Sequence, residues 1–358
     1  MRMPESKSMN DDETGAGTGA HDARGIDMNR RTLAGSALAA PLLGTLAAIL
    51  GTMPARAATA WPSKPVRVVV PFSPGGPTDV AARLLAQKLG AALGQPMVID
   101  NKPGAGGTVG AANVASSPAD GYTLLYGSTS TLAVAPALYA KLPYDPVNAF
   151  APVALVAKGP QMLVINPDLP VKTFAEFIAY AKKNPGKLSY SSAGTGSIGQ
   201  LTCEFVKSVT GIEAVSVPYK GGAPAVNAVM AGETQFTIDA IGTMAQFVKA
   251  DKLRALVVLG ERRSDLMPEL ETSKEAGYPT LIADFWSGVV APAGTPADIV
   301  ARLAKEIATA VADPGVIEQL KLLGTEPQNL TVQQFSTFVK DESRKWQQIA
   351  TSSGIKPE

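Results

Sequence analysis

After residue 21 the chain contains no histidine. His21 is the only one among 358 residues. That absence weighs against Ser-His or Cys-His nucleophilic catalysis and against His-ligated zinc or iron. Cysteine is as scarce. Cys203 stands alone, so no intramolecular disulfide can form. It falls in a helical pattern with Leu201, Phe205 and Val206, which reads as a buried, inert thiol. An excess of one charge is lacking as well. Lys and Arg number 32 against 31 Asp and Glu, for a formal net charge of +1. Such a chain has no basic field to attract nucleic acid or an anionic membrane. Beyond residue 57 no apolar run is long enough to cross a bilayer.

The first 57 residues carry the pattern of an export signal. Asn29-Arg30-Arg31-Thr32-Leu33 is a basic n-region. Leu33 to Met53 is rich in Ala, Leu and Gly, and Ala55-Arg56-Ala57 fits a small-x-small cleavage site. Pro41 and several glycines interrupt the apolar stretch and make it a poor membrane anchor. The paired arginines resemble a twin-arginine signal, and a general secretory signal is the alternative. Translation starts at Met1 or at Met28, because residues 1–27 are polar and outside the signal pattern. Cleavage after Ala57 leaves about 300 residues, a length that usually forms two domains. The removed part holds equal numbers of basic and acidic groups, so the net charge stays at +1.

Glycine and proline, by contrast, are plentiful, at 34 and 28 residues. They punctuate short apolar runs. Val66, Val68, Val69 and Val70 read as a buried strand. Pro71, Pro74, Gly75, Gly76 and Pro77 stop it, and Pro77 suits the first position of a helix carrying Leu84, Leu85 and Leu89. Such a turn leaves free N–H groups and a positive dipole end at one spot, a seat for an anion. A plain βα connection without a ligand is the competing reading.

The alternation continues. Met97 to Asp100, Tyr122 to Tyr126, Leu188 to Ser191, Ala214 to Val217, Thr234 to Ile238 and Leu253 to Leu259 read as strands. Thr108 to Ala115, Phe174 to Lys183, Ala223 to Ala231 and a segment ending at Val209 read as helices. Ala151 to Ala157 and Met162 to Asn166 flank Gly159-Pro160 as an extended crossing. Phe285 to Pro292 is an extended return. Two long helices, Thr295 to Val311 and Val332 to Ser352, finish the chain. Alternating βα units predict α/β lobes, each a mostly parallel sheet flanked by helices. Ligands in such sheets sit off the carboxyl ends of the strands. Two crossings imply a first lobe of residues 58–160 and 285–358, a second of 161–284, and a ligand cleft between them.

Four loops at strand ends compete for the ligand. The first is Phe72 to Asp79. Asp79 either braces it, serves a ligand ammonium or is simply a first-turn acid. The second is Gly127 to Thr131, whose hydroxyls can donate to an oxygen-rich ligand. The third, Ser191 to Gln200, combines small residues with a helix start, and a helix cap at Ser197 or Thr195 is the competing reading. The fourth is Tyr219 to Ala223, where Tyr219 offers an aromatic wall or ordinary packing. Asp239, one strand later, is a polar ligand contact or a turn cap. The run from Gly104 to Gly110 lacks both G-x-G-x-x-G and G-x-x-x-x-G-K-[ST] spacing, so no nucleotide is expected.

These segments resemble the Bug family, the periplasmic receptors of tripartite tricarboxylate transporters. The matching stretches include WPSKPVRVVVPFSPGGPTD (Trp61–Asp79), DNKPGAGGTVGA (Asp100–Ala111) and PADGYTLLYGS (Pro118–Ser128). NPGKLSYSSAGTGS (Asn184–Ser197), VPYKGGAPAV (Val217–Val226) and WSGVVAPAGTP (Trp286–Pro296) continue the match over nearly the whole chain after residue 57. The resemblance implies a two-lobed type II periplasmic binding-protein fold with no catalytic activity, metal or cofactor. It implies a small carboxylate ligand, either a di- or tricarboxylate, an amino acid or an aromatic acid, held through loop N–H groups. The residues assigned to it are Phe72, Pro74, Gly75, Gly76, Thr78 and Asp79 in the first loop. Ser128 and Thr129 come from the second loop, and Ser192, Ala193, Gly194, Thr195, Gly196 and Ser197 from the third. Tyr219, Gly221 and Asp239 complete the set. It further implies periplasmic location and an integral-membrane permease as partner. A monomer is the default, and a ligand-sensing module that presents its closed form to a membrane signalling partner is the alternative. One departure stands out. Where family members often carry His-Leu after the third loop, this chain has Gln200-Leu201.

Overall fold

The structure is a computed structural model, and it describes residues 61–355. The expected export signal, its cleavage site and His21 lie outside those residues.

The first part of the chain alternates as expected. β1 (Val66–Val70) leads to α1 (Pro77–Leu93), β2 (Met97–Asn101), α2 (Thr108–Ala115) and β3 (Thr123–Ser128). β1 lies between β2 and β3 and is parallel to both. α1 starts with Pro77 in its first turn and ends where Gly94 turns left-handed, with its N–H on the Gly90 carbonyl. A π-helical turn, Ser130–Val134, and a short α3 (Ala135–Leu138) follow. Neither was legible in the sequence, which showed only a hydroxyl-rich loop there. The Thr131 side chain closes that turn, accepting from the Ser128 N–H and donating to the Ser128 carbonyl.

β4 (Phe150–Ile165) is one 16-residue strand. The two extended stretches read around Gly159-Pro160 are therefore continuous. β4 serves both halves of the sheet. Residues 150–160 pair with β9 (Asp284–Pro292), and residues 161–165 pair with β7 (Phe236–Ala240) and β8 (Arg254–Leu259). The crossing strands run antiparallel to their neighbours. The strands joined by βα units, including β5 (Leu188–Ser192) with β6 (Ala214–Pro218) and β7, are parallel. α4 (Phe174–Lys183), α5 (Ile198–Thr210), α6 (Gly222–Met230) and α7 (Ile241–Lys249) cover the second half.

The C-terminal part returns to the first half. α8 (Ala297–Val311), α9 (Pro314–Leu322), β10 (Glu326–Pro327) and α10 (Val332–Ser352) follow β9. The sequence reading had two long helices here and passed over α9. Its signals were present all the same. Asp313 accepts from the Gly315 and Val316 N–H groups, and Pro314 stands at the first helical position. α10 opens with a reciprocal cap between Thr331 and Gln334. It buries Trp346 and Phe335 beside Trp286 of β9. Glu342 accepts from both indole N–H groups, at 3.0 Å from Trp286 and 3.2 Å from Trp346. This packing anchors one crossing strand to the C-terminal helix.

Candidate functional site

The turns that follow β1, β5 and β6, together with the end of β7, contribute residues to one pocket. The first loop is held from behind. Asp79, only 2 % exposed, accepts from the Gly75 N–H at 2.9 Å, Arg83 Nε at 2.9 Å and Asn101 Nδ2 at 2.8 Å. Asn101 also donates to the Phe72 carbonyl. Burial pushes the Asp79 carboxyl up, but the bonds from Arg83, Gly75 and Asn101 outweigh it and hold the group below its usual range. Its side chain is thus committed to bracing the loop.

The third loop touches the first half directly. The Ile198 N–H donates to Ser130 Oγ at 3.0 Å, and Tyr139 Oη donates to the Thr195 carbonyl at 2.7 Å. Gly106, with φ near +62°, packs on the backbone of Thr195 and Gly196. A Cβ there would lie 2.7 Å from the Gly196 carbonyl carbon. Ser197 caps α5 through the Gln200 N–H, while Gln200 Oε1 accepts from the Gly196 N–H at 2.8 Å. Gln200 therefore stiffens this loop.

On the far wall, Asp239 ends β7 between the starts of α6 and α7. Oδ1 accepts from the Ala240 N–H at 2.7 Å. A Cβ on Gly222 would fall 2.6 Å from Oδ2, so the lack of a side chain there makes room for the carboxylate. Neither an ion pair nor a second hydrogen bond holds Asp239 among the described residues. Partial burial pushes its pKa up to about 6, against a smaller lowering by the Ala240 N–H.

One pocket joins these loops. It encloses about 720 Å³ including its open mouth. Of the expected ligand residues, Phe72, Pro74, Gly76, Thr78, Ala193, Ser197, Gly221 and Asp239 line it. The others do not line it. Gly75 and Asp79 bond each other. Ser128 and Ser192 are buried, and neither hydroxyl has a hydrogen-bond partner among the described residues. Thr129 Oγ1 accepts from the Trp286 N–H. Gly194 faces the Tyr219 carbonyl, Thr195 and Gly196 meet Tyr139, and the Tyr219 hydroxyl donates to Glu233.

Sequence reasoning passed over Pro224, Ile238, Ala240 and Phe285, which also line the pocket. Ala240 could have been found as the start of the next helix. Phe285 reaches the pocket only because β9 crosses between the halves, and no local pattern signals that. Residues at the starts of α1, α5, α6 and α7 all contribute to the lining. Among the described residues no Lys, Arg or His does, and Asp239 is the sole ionisable residue in it. A second pocket, behind the crossing strands, is rich in charge, but Lys158–Asp284 and Arg262–Glu326 are paired with each other across it.

The isolation of Asp239 predicts a pH-dependent cost. Its folded pKa lies above the unfolded value of 3.8. The ionised form therefore destabilises the fold. The cost grows as pH rises from about 4 to about 6 and is constant above that. Among the described residues, the titratable group that acts on it is the buried Cys203 thiol, itself pushed up by burial. The D239N variant, free of solute, is expected to be more stable than wild type at pH 8 by up to about 3 kcal/mol, nearly all of it gone at pH 4. Urea unfolding at the two pH values checks this. A variant less stable at pH 8 refutes it.

A pocket between two α/β halves joined by crossing strands defines a solute-binding protein of the periplasmic type. The family model for the tripartite tricarboxylate transporter family receptor matches residues 81–355. Protein BugT of Bordetella pertussis is 36% identical over 316 residues, covering 88% of this chain and 97% of that protein. Among solved structures, Rpa4515 of R. palustris with adipate aligns with a TM-score of 0.80 at 36% identity, covering 83% of this chain and 100% of that one. MatC from Rhodopseudomonas palustris with bound malate aligns at 0.78 and 34% identity, covering 81% and 100%. The chain belongs to the tripartite tricarboxylate transporter receptor family. Members of this family are solute-binding receptors and not enzymes.

Proposed function

We propose that this protein is an exported periplasmic receptor that binds a small organic carboxylate in the cleft and delivers it to a membrane permease. One observation carries the reading. The starts of four helices line one pocket that contains no basic side chain. First-turn N–H groups lack intrahelical partners and sit at the positive end of each helix dipole. An anion is the ligand such a pocket favours. Relatives that bind adipate and malate support the same chemistry.

The two lobes of this reading are residues 58–160 with 285–358, and residues 161–284. β4 and β9 are the connections about which they hinge. The bonds from Ile198 to Ser130 and from Tyr139 to Thr195 belong to the closed form. Solute that bridges α1 and α5 shifts the population toward that form, which docks on the permease as a monomer.

The test is calorimetric titration of the exported, purified protein, unfolded and refolded to strip carried-over solute. The panel is a set of mono-, di- and tricarboxylates, amino acids and aromatic acids. Saturable binding of at least one acid, absent for its uncharged amide, is the expected result. Silence across the panel overturns the proposal.

A further inference from the structure

The charge pattern inside the pocket is uneven. Helix starts occur on both walls, yet the single side-chain charge is negative and stands on one of them. Asp239 lies where α6 and α7 begin, with Oδ1 on the Ala240 N–H and Oδ2 beside Gly222. Its carboxylate thus occupies the start of α7 and stands beside the start of α6. The starts of α1 and α5, represented by Thr78 and Gly199, have no acidic side chain against the pocket. A solute carboxylate therefore belongs at the α1 and α5 end.

What lies against Asp239 is then constrained. Among the described residues the side chain makes one hydrogen bond, and no cation pairs with it. A second solute carboxylate at that wall would set two like charges together in a partly desolvated space. An ammonium would supply the missing counter-charge and a charge-assisted hydrogen bond.

We infer that Asp239 is the specificity-determining residue of the cleft and that the solute is an amino acid or related zwitterion, with its carboxylate at the α1 and α5 starts and its ammonium on Asp239. This rests on the receptor reading above and narrows the acids it admits. The upward pull of burial on the Asp239 carboxyl agrees with a charge that awaits a partner. The pairing also gives a role to the room left by Gly222, which keeps Oδ2 open to the pocket.

The experiment compares matched acids on the stripped protein by calorimetry at pH 8. The pairs are aspartate with succinate, glutamate with glutarate, and β-alanine with propionate. Malate is added as an uncharged hydroxyl donor. The expected result is at least ten-fold tighter binding of one amino member over its partner and over malate. D239N should lose at least ten-fold for that amino acid and should bind the plain acid as well or better. Equal or tighter binding of the plain acid or malate by wild type overturns the inference while leaving the carboxylate receptor standing. An unchanged amine preference in D239N also overturns it. Should D239N fail to fold, the wild-type comparison alone decides. Silence with every acid brings down the receptor reading and this inference together.

Discussion

Replacing Asp79 by alanine is expected to destabilise the protein by about 2–4 kcal/mol and to abolish tight solute binding. The carboxylate is buried and accepts three hydrogen bonds. Its loss leaves the Gly75 N–H and Asn101 Nδ2 without their acceptor, and each unsatisfied donor costs about 1–3 kcal/mol when desolvated. Arg83 is half exposed and recovers its loss in water. For a chain of this size the change in midpoint is roughly 3–6 °C. The first loop then loses the brace that holds residues 72–76 against the start of α1.

The pH dependence of this effect has a definite sign. Asp79 has a folded pKa below its unfolded value of 3.8. Its stabilisation is present at neutral pH and is lost as pH falls through the folded value. Unfolding curves of wild type and D79A should therefore separate at pH 7 and converge in acid. D79N should recover only part of the difference, because one oxygen remains as acceptor while the new NH2 group faces donors on the other side, either Asn101 or the Gly75 N–H with Arg83. Wild-type stability and affinity in D79A would show that the loop is held by its proline and glycine backbone alone.

Gly106→Ala is the second large effect, and it falls on closure more than on folding. The Gly106 backbone, in the loop after β2, lies against the Thr195 and Gly196 backbone across the cleft. A methyl group there would stand 2.7 Å from the Gly196 carbonyl carbon and 2.8 Å from the Thr195 oxygen. Neither is a movable side-chain end, so the halves must separate. The left-handed backbone adds about 1–2 kcal/mol of local cost for alanine. Solute affinity should fall at least ten-fold, since binding and closure are coupled. Small-angle scattering should show a radius that no longer shrinks when solute is added. Wild-type affinity with wild-type compaction would place this contact outside the closing motion.

The βα loops could be located from local pattern because the signals are local. A valine run followed by Pro-Phe-Ser-Pro-Gly-Gly-Pro ends a strand and starts a helix by backbone sterics alone. The Ser197 cap and the Gly-rich third loop are legible for the same reason. What stayed hidden depends on partners far away in the chain. Asp79 could be read as a brace or as a ligand group, and Asn101, 22 residues on, supplies the third of the hydrogen bonds that tie it to the loop. Gln200 looked like a departure from the family pattern, and its carbonyl oxygen in fact stiffens the third loop. The turn of Ser130–Val134 was unreadable because its closure depends on a Thr131 side chain that any loop could contain.

The amino-acid order by itself determined the α/β alternation, the positions of the four loops, the family resemblance and the absence of His-based chemistry. These follow from periodicity, from glycine and proline sterics and from composition, which act over a few residues. The tertiary structure alone decided which loop residues face the pocket. It also decided that β4 is one strand shared by both halves, and that Asp239 stands without a counter-charge. Those outcomes depend on which distant segments desolvate one another and satisfy one another's hydrogen bonds, and no local window of the chain contains both partners.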